Sequence, residues 1–424
     1  MRRFSPKQIS YLIYLFPFCI DLLVSQYLFA GPLRMAQIHE NPLMTTGILA
    51  VWGVFYMVSN WIVPRFVTDK NATSFIIGSC FCLFILSCVA IFIPSLPTDD
   101  TIRISVFLLF DFSISSAGLG IYAISAISGI LIAMFFAPFQ VFMKTVDSGE
   151  KENVSYSTGM YTFSWSMGFA FGPFISGWFM ELGIGWELCF AFSAFVSLLT
   201  ALGIWYLRNA IRNNEEVAET KTLKPEASEN NSPYDSAPDM AWVSWIVSIG
   251  ILIATMAVFR SLFIVEAEQE HGMPSSQIGM IFFISSIGQA FTALFLIRGR
   301  DWMYKAIYPT LFNTAGVIGL ILIMIGQSFT LFLLGGFLIG ICTGAFFFYF
   351  VFHAIVHPKK SIRYVGINEL LVGLTGVIGA FLGPWIEERH SYDMSWACVA
   401  ALIVVVSIFQ FIMHFRKKFS FPPA

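Results

Sequence analysis

The chain has 424 residues, 57% of them hydrophobic and only 12% charged, with a mean hydropathy of +0.75. A soluble chain of this size carries roughly twice that share of charge and has no single core large enough to hide so much apolar surface. A soluble enzyme, a nucleic-acid binder and a disordered scaffold are excluded, and the net charge of −2 favours no polyanionic partner. What remains is an all-α polytopic membrane protein.

Twelve apolar segments are long enough to cross a bilayer: 9–30, 44–64, 73–94, 118–144, 154–180, 185–207, 241–265, 275–297, 305–325, 329–356, 363–386 and 394–415. The first follows Met1-Arg2-Arg3 and is not succeeded by a small-residue cleavage site, so it reads as a retained helix rather than a signal peptide. The seven cysteines lie in apolar stretches without a CxxC pair and read as small hydrophobes. No metal site or cofactor is expected.

Lys and Arg in the loops set the orientation. With the N-terminus in the cytoplasm, the inner segments hold all of the 24 basic residues except Arg34, Arg103, Arg389 and Arg260, the last lying within a span. Both termini are then cytoplasmic. The expected location is the cell (inner) membrane.

Residues 209–239 interrupt the apolar pattern with a polar, Pro/Ser/Glu-rich stretch and read as a flexible linker between an N-terminal six-helix bundle (1–208) and a C-terminal one (240–424). The halves also resemble each other. Gly168-x3-Gly172-Pro173 returns as Gly379-x3-Gly383-Pro384, and Gly129, Phe135 and Phe136 return as Gly340, Phe346 and Phe347, all at one offset. Parallel repeats of this kind suit a transporter in which one bundle rocks against the other. One asymmetry stands out: the tenth span follows the ninth through Gly326-Gln327-Ser328, whereas the fourth follows the third only after residues 95–117. Within that extra outer segment, Ile102 to Ser116 is apolar but too short to span, which predicts an interfacial or re-entrant helix with Asp111 near water or a partner.

Twelve spans, two parallel halves, a long central cytoplasmic loop and inner termini together resemble the major facilitator superfamily over the whole chain. The family's loop after the second span carries Gly-x3-Asp-Arg/Lys-x-Gly-Arg. Here Asp69 and Lys70 match, while Arg65, Ala72 and Thr73 depart from the pattern. The resemblance implies that Asp69 and Lys70 belong to a cytoplasmic gate, and that the first, fourth, seventh and tenth spans line a central cavity. Gly172-Pro173-Phe174-Ile175-Ser176-Gly177 is similar to the Gly-Pro-x-x-Gly-Gly element of the family's proton antiporters, with Ser176 in place of one glycine. Gly172, Pro173, Gly383 and Pro384 are gating candidates on that ground, with ordinary close helix packing as the alternative.

A charge inside the bilayer is expensive, so each one needs a reason. Asp21, near the middle of the first span, is the first candidate for proton coupling. Apolar surroundings favour a neutral carboxyl and a nearby cation the charged form, so substrate binding can gate a proton. Glu369, which opens the eleventh span beside Asn368, is the second; a structural ion pair or a snorkelling acid is the alternative. Arg260 must pair with Asp21, with an outer acid such as Glu266, or with an anionic substrate. Gln140 and Gln289 are candidate substrate donors. Tyr161 and Trp165, one turn apart, offer an aromatic wall or simple packing. His353 is a lone histidine whose ordinary role is structural.

No Gly-x4-Gly-Lys-Ser/Thr loop is present, so transport would be secondary. The expectation is a monomeric secondary transporter that moves a small organic solute by alternating access, coupled to a proton, with sodium as the alternative ion. Two rivals stand beside it: a drug/proton antiporter exporting lipophilic compounds, and a transporter-like receptor or lipid-handling protein.

Overall fold

The computed structural model describes residues 12–38, 41–68, 70–97, 101–106, 110–146, 154–218, 239–297, 301–355 and 361–416. Among these residues twelve long helices follow in chain order: α1 Leu15–Gln37, α2 Pro42–Ile62, α3 Ala72–Ala90, α4 Ser116–Val146, α5 Val154–Met180, α6 Gly185–Ala218, α7 Ala241–Gln269, α8 Ser275–Leu296, α9 Ile307–Met324, α10 Phe329–Ile355, α11 Ser361–Arg389 and α12 Tyr392–Arg416. Eleven are long and apolar enough to cross a membrane. The remaining one, α5, is long enough but richer in Ser, Thr and Tyr, as befits a helix packed between α1 and α8 rather than against lipid. Large apolar side chains such as Phe81, Trp205, Leu311 and Val405 point outward, the surface a bilayer requires.

Three expectations are corrected. Residues 101–115 do not form an interfacial or re-entrant helix; they form an antiparallel hairpin of β1 Thr101–Val106 and β2 Phe110–Ser115. The period explains it. Ile102, Ile104 and Val106 alternate with Arg103 and Ser105, and Phe110, Phe112 and Ile114 alternate with Asp111 and Ser113, a repeat of two rather than 3.6. The register sets Ile102 opposite Ile114 and Ile104 opposite Phe112. The side chain of Asp111 lies outside the described residues.

The first helix also runs further than expected, from Leu15 through Gly31-Pro32 to Gln37, while its expected start at residue 9 lies outside the described residues. Proline breaks the ladder by one hydrogen bond, a loss that neighbouring helices offset in a membrane bundle. Within Leu15–Gln37, Asp21 stands in the first third. Finally, α6 runs ten residues into the expected linker, to Ala218. Arg212 and Glu216 sit four apart there among good helix formers.

Two apolar cores fill the molecule, one built from α1–α6 and one from α7–α12, the latter joined by Phe29 and Leu33 of α1. The repeated glycines explain how each half closes. A Cβ at Gly168 or Gly172 would strike the α1 backbone at Phe18, Leu22 or Gln26, and one at Gly379 or Gly383 would strike α7 at Ala257, Val258 or Leu262. Likewise Gly129 lies against Trp52 of α2, and Gly340 against Ser285 of α8. Equivalent helices meet at equivalent glycines, so the sequence repeat is a repeat of packing.

Candidate translocation site

The halves meet along two seams, α5 on α8 and α2 on α11. We call the face where α1 begins and α12 ends the terminal face, and the opposite one the distal face. The distal face is closed. Thr46 on α2 donates to the Ala380 carbonyl of α11 at 2.8 Å, and the Ser276 amide of α8 donates to Glu181 after α5 at 2.9 Å. Gln269 at the end of α7 reaches the Ala36 carbonyl of α1, and Gln37 reaches Ser275, both at 3.4 Å. Close to these contacts, Gly177 and Gly279 bring the α5 and α8 backbones together.

Toward the terminal face stands a carboxylate pair. Asp21 is buried, and its Oδ2 has no hydrogen-bond partner among the described residues. It interacts electrostatically with Glu369. Glu369 in turn accepts a 2.6 Å hydrogen bond from the Tyr56 hydroxyl, which crosses from α2 to α11 and so ties one half to the other. Tyr56 is itself buried, stacked on Trp52 with ring centres 4.8 Å apart. Counting along the helices at 1.5 Å per residue, all three groups lie roughly 9–12 Å in from the terminal ends of α1, α2 and α11.

Arg260 lies closer to the distal face. Its Nη2 donates to Ser286 of α8 at 2.7 Å, and its guanidinium sits 4.4 Å from the ring centre of Phe169 on α5 and 5.8 Å from that of Phe282 on α8. Neither Asp21 nor Glu266 pairs with it. Measured from the distal ends of α1 and α7, which touch, Arg260 is roughly 10 Å nearer that face than Asp21. Glu266 accepts instead from the Trp396 indole at 2.9 Å. One turn before Arg260, α7 widens into a π-helical segment over Ile253–Val258, a distortion frequent at functional positions.

The other expected site residues scatter around these two groups. Gln289 is buried and donates to Ser166 at 2.8 Å, joining α8 to α5. Trp165 packs edge-on against Phe347 of α10 at 4.8 Å, and Tyr161 is half-buried against the N-terminal core. Gly172, Pro173 and Gly383 sit at helix crossings, the Pro173 carbonyl facing Gly279, while Pro384 lies within α11. Lys70 is exposed, and Asp69 and the Gln140 side chain lie outside the described residues. Asn368 bridges Trp245 and the Phe350 carbonyl, and His353 is wedged beside Tyr349 and Tyr304; both serve the C-terminal core. Sequence reasoning misses Tyr56, Ser286 and Phe169, which are neutral residues of kinds common in any membrane helix.

The family description Major Facilitator Superfamily matches residues 101–303. Among solved structures, the chain is similar to the crystal structure of a mutant of the nucleoside transporter NupG, with a TM-score of 0.61 at 11% identity, covering 96% of this chain and 100% of that one. No curated relative matches the sequence. The twelve-helix, two-bundle architecture is thus that of a membrane transporter fold, and at this identity the likeness to NupG speaks to fold alone. The family match over residues 101–303 and the shared fold together support a transporter of the major facilitator superfamily.

Proposed function

We propose that this protein is a proton-coupled secondary transporter that moves a small organic solute by alternating access, its halves 1–208 and 240–424 rocking about the α5–α8 and α2–α11 seams. The observation that carries the reading is the Tyr56–Glu369 hydrogen bond joining the halves beside a buried Asp21. A carboxylate accepts a hydrogen bond more strongly than a carboxylic acid. A proton that reaches Glu369 through Asp21 would weaken the tie and release the terminal side, so proton binding and gate opening become one event. Two neighbouring carboxyls also favour sharing one proton over carrying two charges. The gating role of Gly172, Pro173, Gly383 and Pro384 belongs to the same reading, as crossings that must slide or bend when the halves move.

The basic loops favour cytoplasmic termini in the inner membrane, which makes the terminal face cytoplasmic. In proteoliposomes, Asp21→Asn is expected to abolish accumulation driven by a pH gradient while solute exchange continues. A variant that still accumulates at the wild-type level overturns proton coupling through Asp21, and an equal response to a sodium gradient at constant pH names the other ion.

A further inference from the structure

Arg260 is the one basic residue placed inside a span by the sequence, and its surroundings show what it lacks. From Gly250 to Ala267 only Met256 and Arg260 of α7 are half-buried; every other residue of that stretch is buried, and none is exposed. The stretch therefore presents no face to lipid, and the open surface of Arg260 faces an internal space between the halves. Met256, one turn away on the same face, packs against the N-terminal core, which places that space at the seam. The helix end is about 14 Å off, too far for the side chain to reach water by snorkelling.

A guanidinium enclosed in this way normally carries a carboxylate partner. Among the described residues Arg260 has none: its hydrogen bond goes to the neutral Ser286, Glu369 and Glu266 accept from Tyr56 and Trp396, and Asp21 lies roughly 10 Å farther from the distal face. The Phe169 ring covers one face of the guanidinium, which leaves the in-plane N–H edge for a ligand. A planar fork with one donor already used and aromatic rings around it matches a carboxylate on an apolar body. One positive charge is balanced by one negative charge, which disfavours a phosphate dianion at a single Arg.

We infer that Arg260, with Ser286 and Phe169, forms a binding subsite for a singly charged organic carboxylate with an apolar body. This deepens the transport reading, on which it rests only for the route by which the ligand arrives. The missing counter-ion comes with the substrate, so an empty carrier holds an uncompensated cation and a loaded one does not. Ser286 positions the guanidinium; Phe169 holds its plane and meets the apolar part of the ligand.

The test uses the purified full chain and a panel of monocarboxylates graded from acetate to phenylacetate, their amides, and the matched amines. Binding to the folded state raises the melting temperature by mass action. The expected result is stabilisation by carboxylates, rising with the apolar body, with no response to amides or amines. Arg260→Gln should remove the response. Should that variant fail to fold, Arg260→Lys keeps the charge but loses the planar fork, and it should weaken apparent affinity about tenfold or more. Equal stabilisation by amides, silence across the panel, or a full response in Arg260→Lys overturns the inference. Proton flux separates the two readings. If nucleosides or other neutral solutes drive flux and carboxylates do not, the transporter stands and the subsite falls. If carboxylates stabilise through Arg260 while no solute moves protons, the subsite stands and the proton coupling falls.

Discussion

Tyr56 makes the contact on which the coupling scheme turns, so its removal is the sharpest test at the scale of a residue. A hydrogen bond to a charged group is worth about 1.5–3 kcal/mol. Tyr56→Phe keeps the stacking on Trp52 and deletes only the tie to Glu369. The terminal side should then open at least about tenfold more often, seen as faster alkylation of a cysteine placed at Met57, whose Cβ lies beside Gly373 on the same seam. An unchanged rate would show that the tie holds nothing shut. At this scale the sequence reveals half of each group. Asp21, Arg260 and Glu369 stand out because charge is rare in apolar runs. Tyr56, Ser286 and Phe169 do not, because their roles come from which helix faces them, and a repeat of 3.6 says nothing about partners on other helices. The far end of α1 escapes the sequence for a related reason: Gly31-Pro32 reads as a stop in water, and the bundle carries the helix through it.

Helix crossings are the next scale, and there the glycine repeat makes a paired prediction. Gly172→Leu and Gly340→Leu push a side chain into the backbone of α1 and α8 respectively, whereas Gly376→Ala meets nothing within 4 Å. The first two should each cost at least the 1–3 kcal/mol typical of overpacking and lower the melting temperature clearly. Gly376→Ala should stay within about 1 kcal/mol of the parent, because alanine favours the helix. Similar melting temperatures for all three would show that these crossings are looser than drawn. The shared offset makes these crossings legible in the amino-acid order itself, since close approach leaves a glycine wherever it occurs. The 95–117 insertion is legible as an insertion but not, at first reading, as a hairpin. Its apolar content draws attention away from its period, and strict alternation from Thr101 to Val106 and from Phe110 to Ser115 is the signal that decides the matter. The extension of α6 to Ala218 is hidden by the opposite bias, because polar helix formers beyond a membrane span look like a linker.

The distal seal is a property of the whole molecule, since it joins first-half helices to second-half helices and no single bundle contains it. Rocking must break it once per cycle if transport proceeds by alternating access. Thr46 and Ala380 form its α2–α11 contact at 2.8 Å, on the distal side of the Gly53–Gly373 crossing. Cysteines placed at these two positions, with the seven native ones replaced, should be joined by a short thiol cross-linker. The bridged protein should lose solute flux almost completely and regain it when a cleavable linker is reduced. Ligand binding from the terminal side should survive the bridge, because the Asp21, Glu369 and Tyr56 groups lie on the far side of the seal. Full flux with the link in place would mean that the halves do not separate there, and the rocking scheme would fall with it. A loss of binding together with flux would locate the entry path on the distal face instead. The proposed cycle uses two sites at different depths, Arg260 beneath the distal seal and the carboxyl pair nearer the terminal face, and in that scheme only a movement of the halves along their two shared seams can link them.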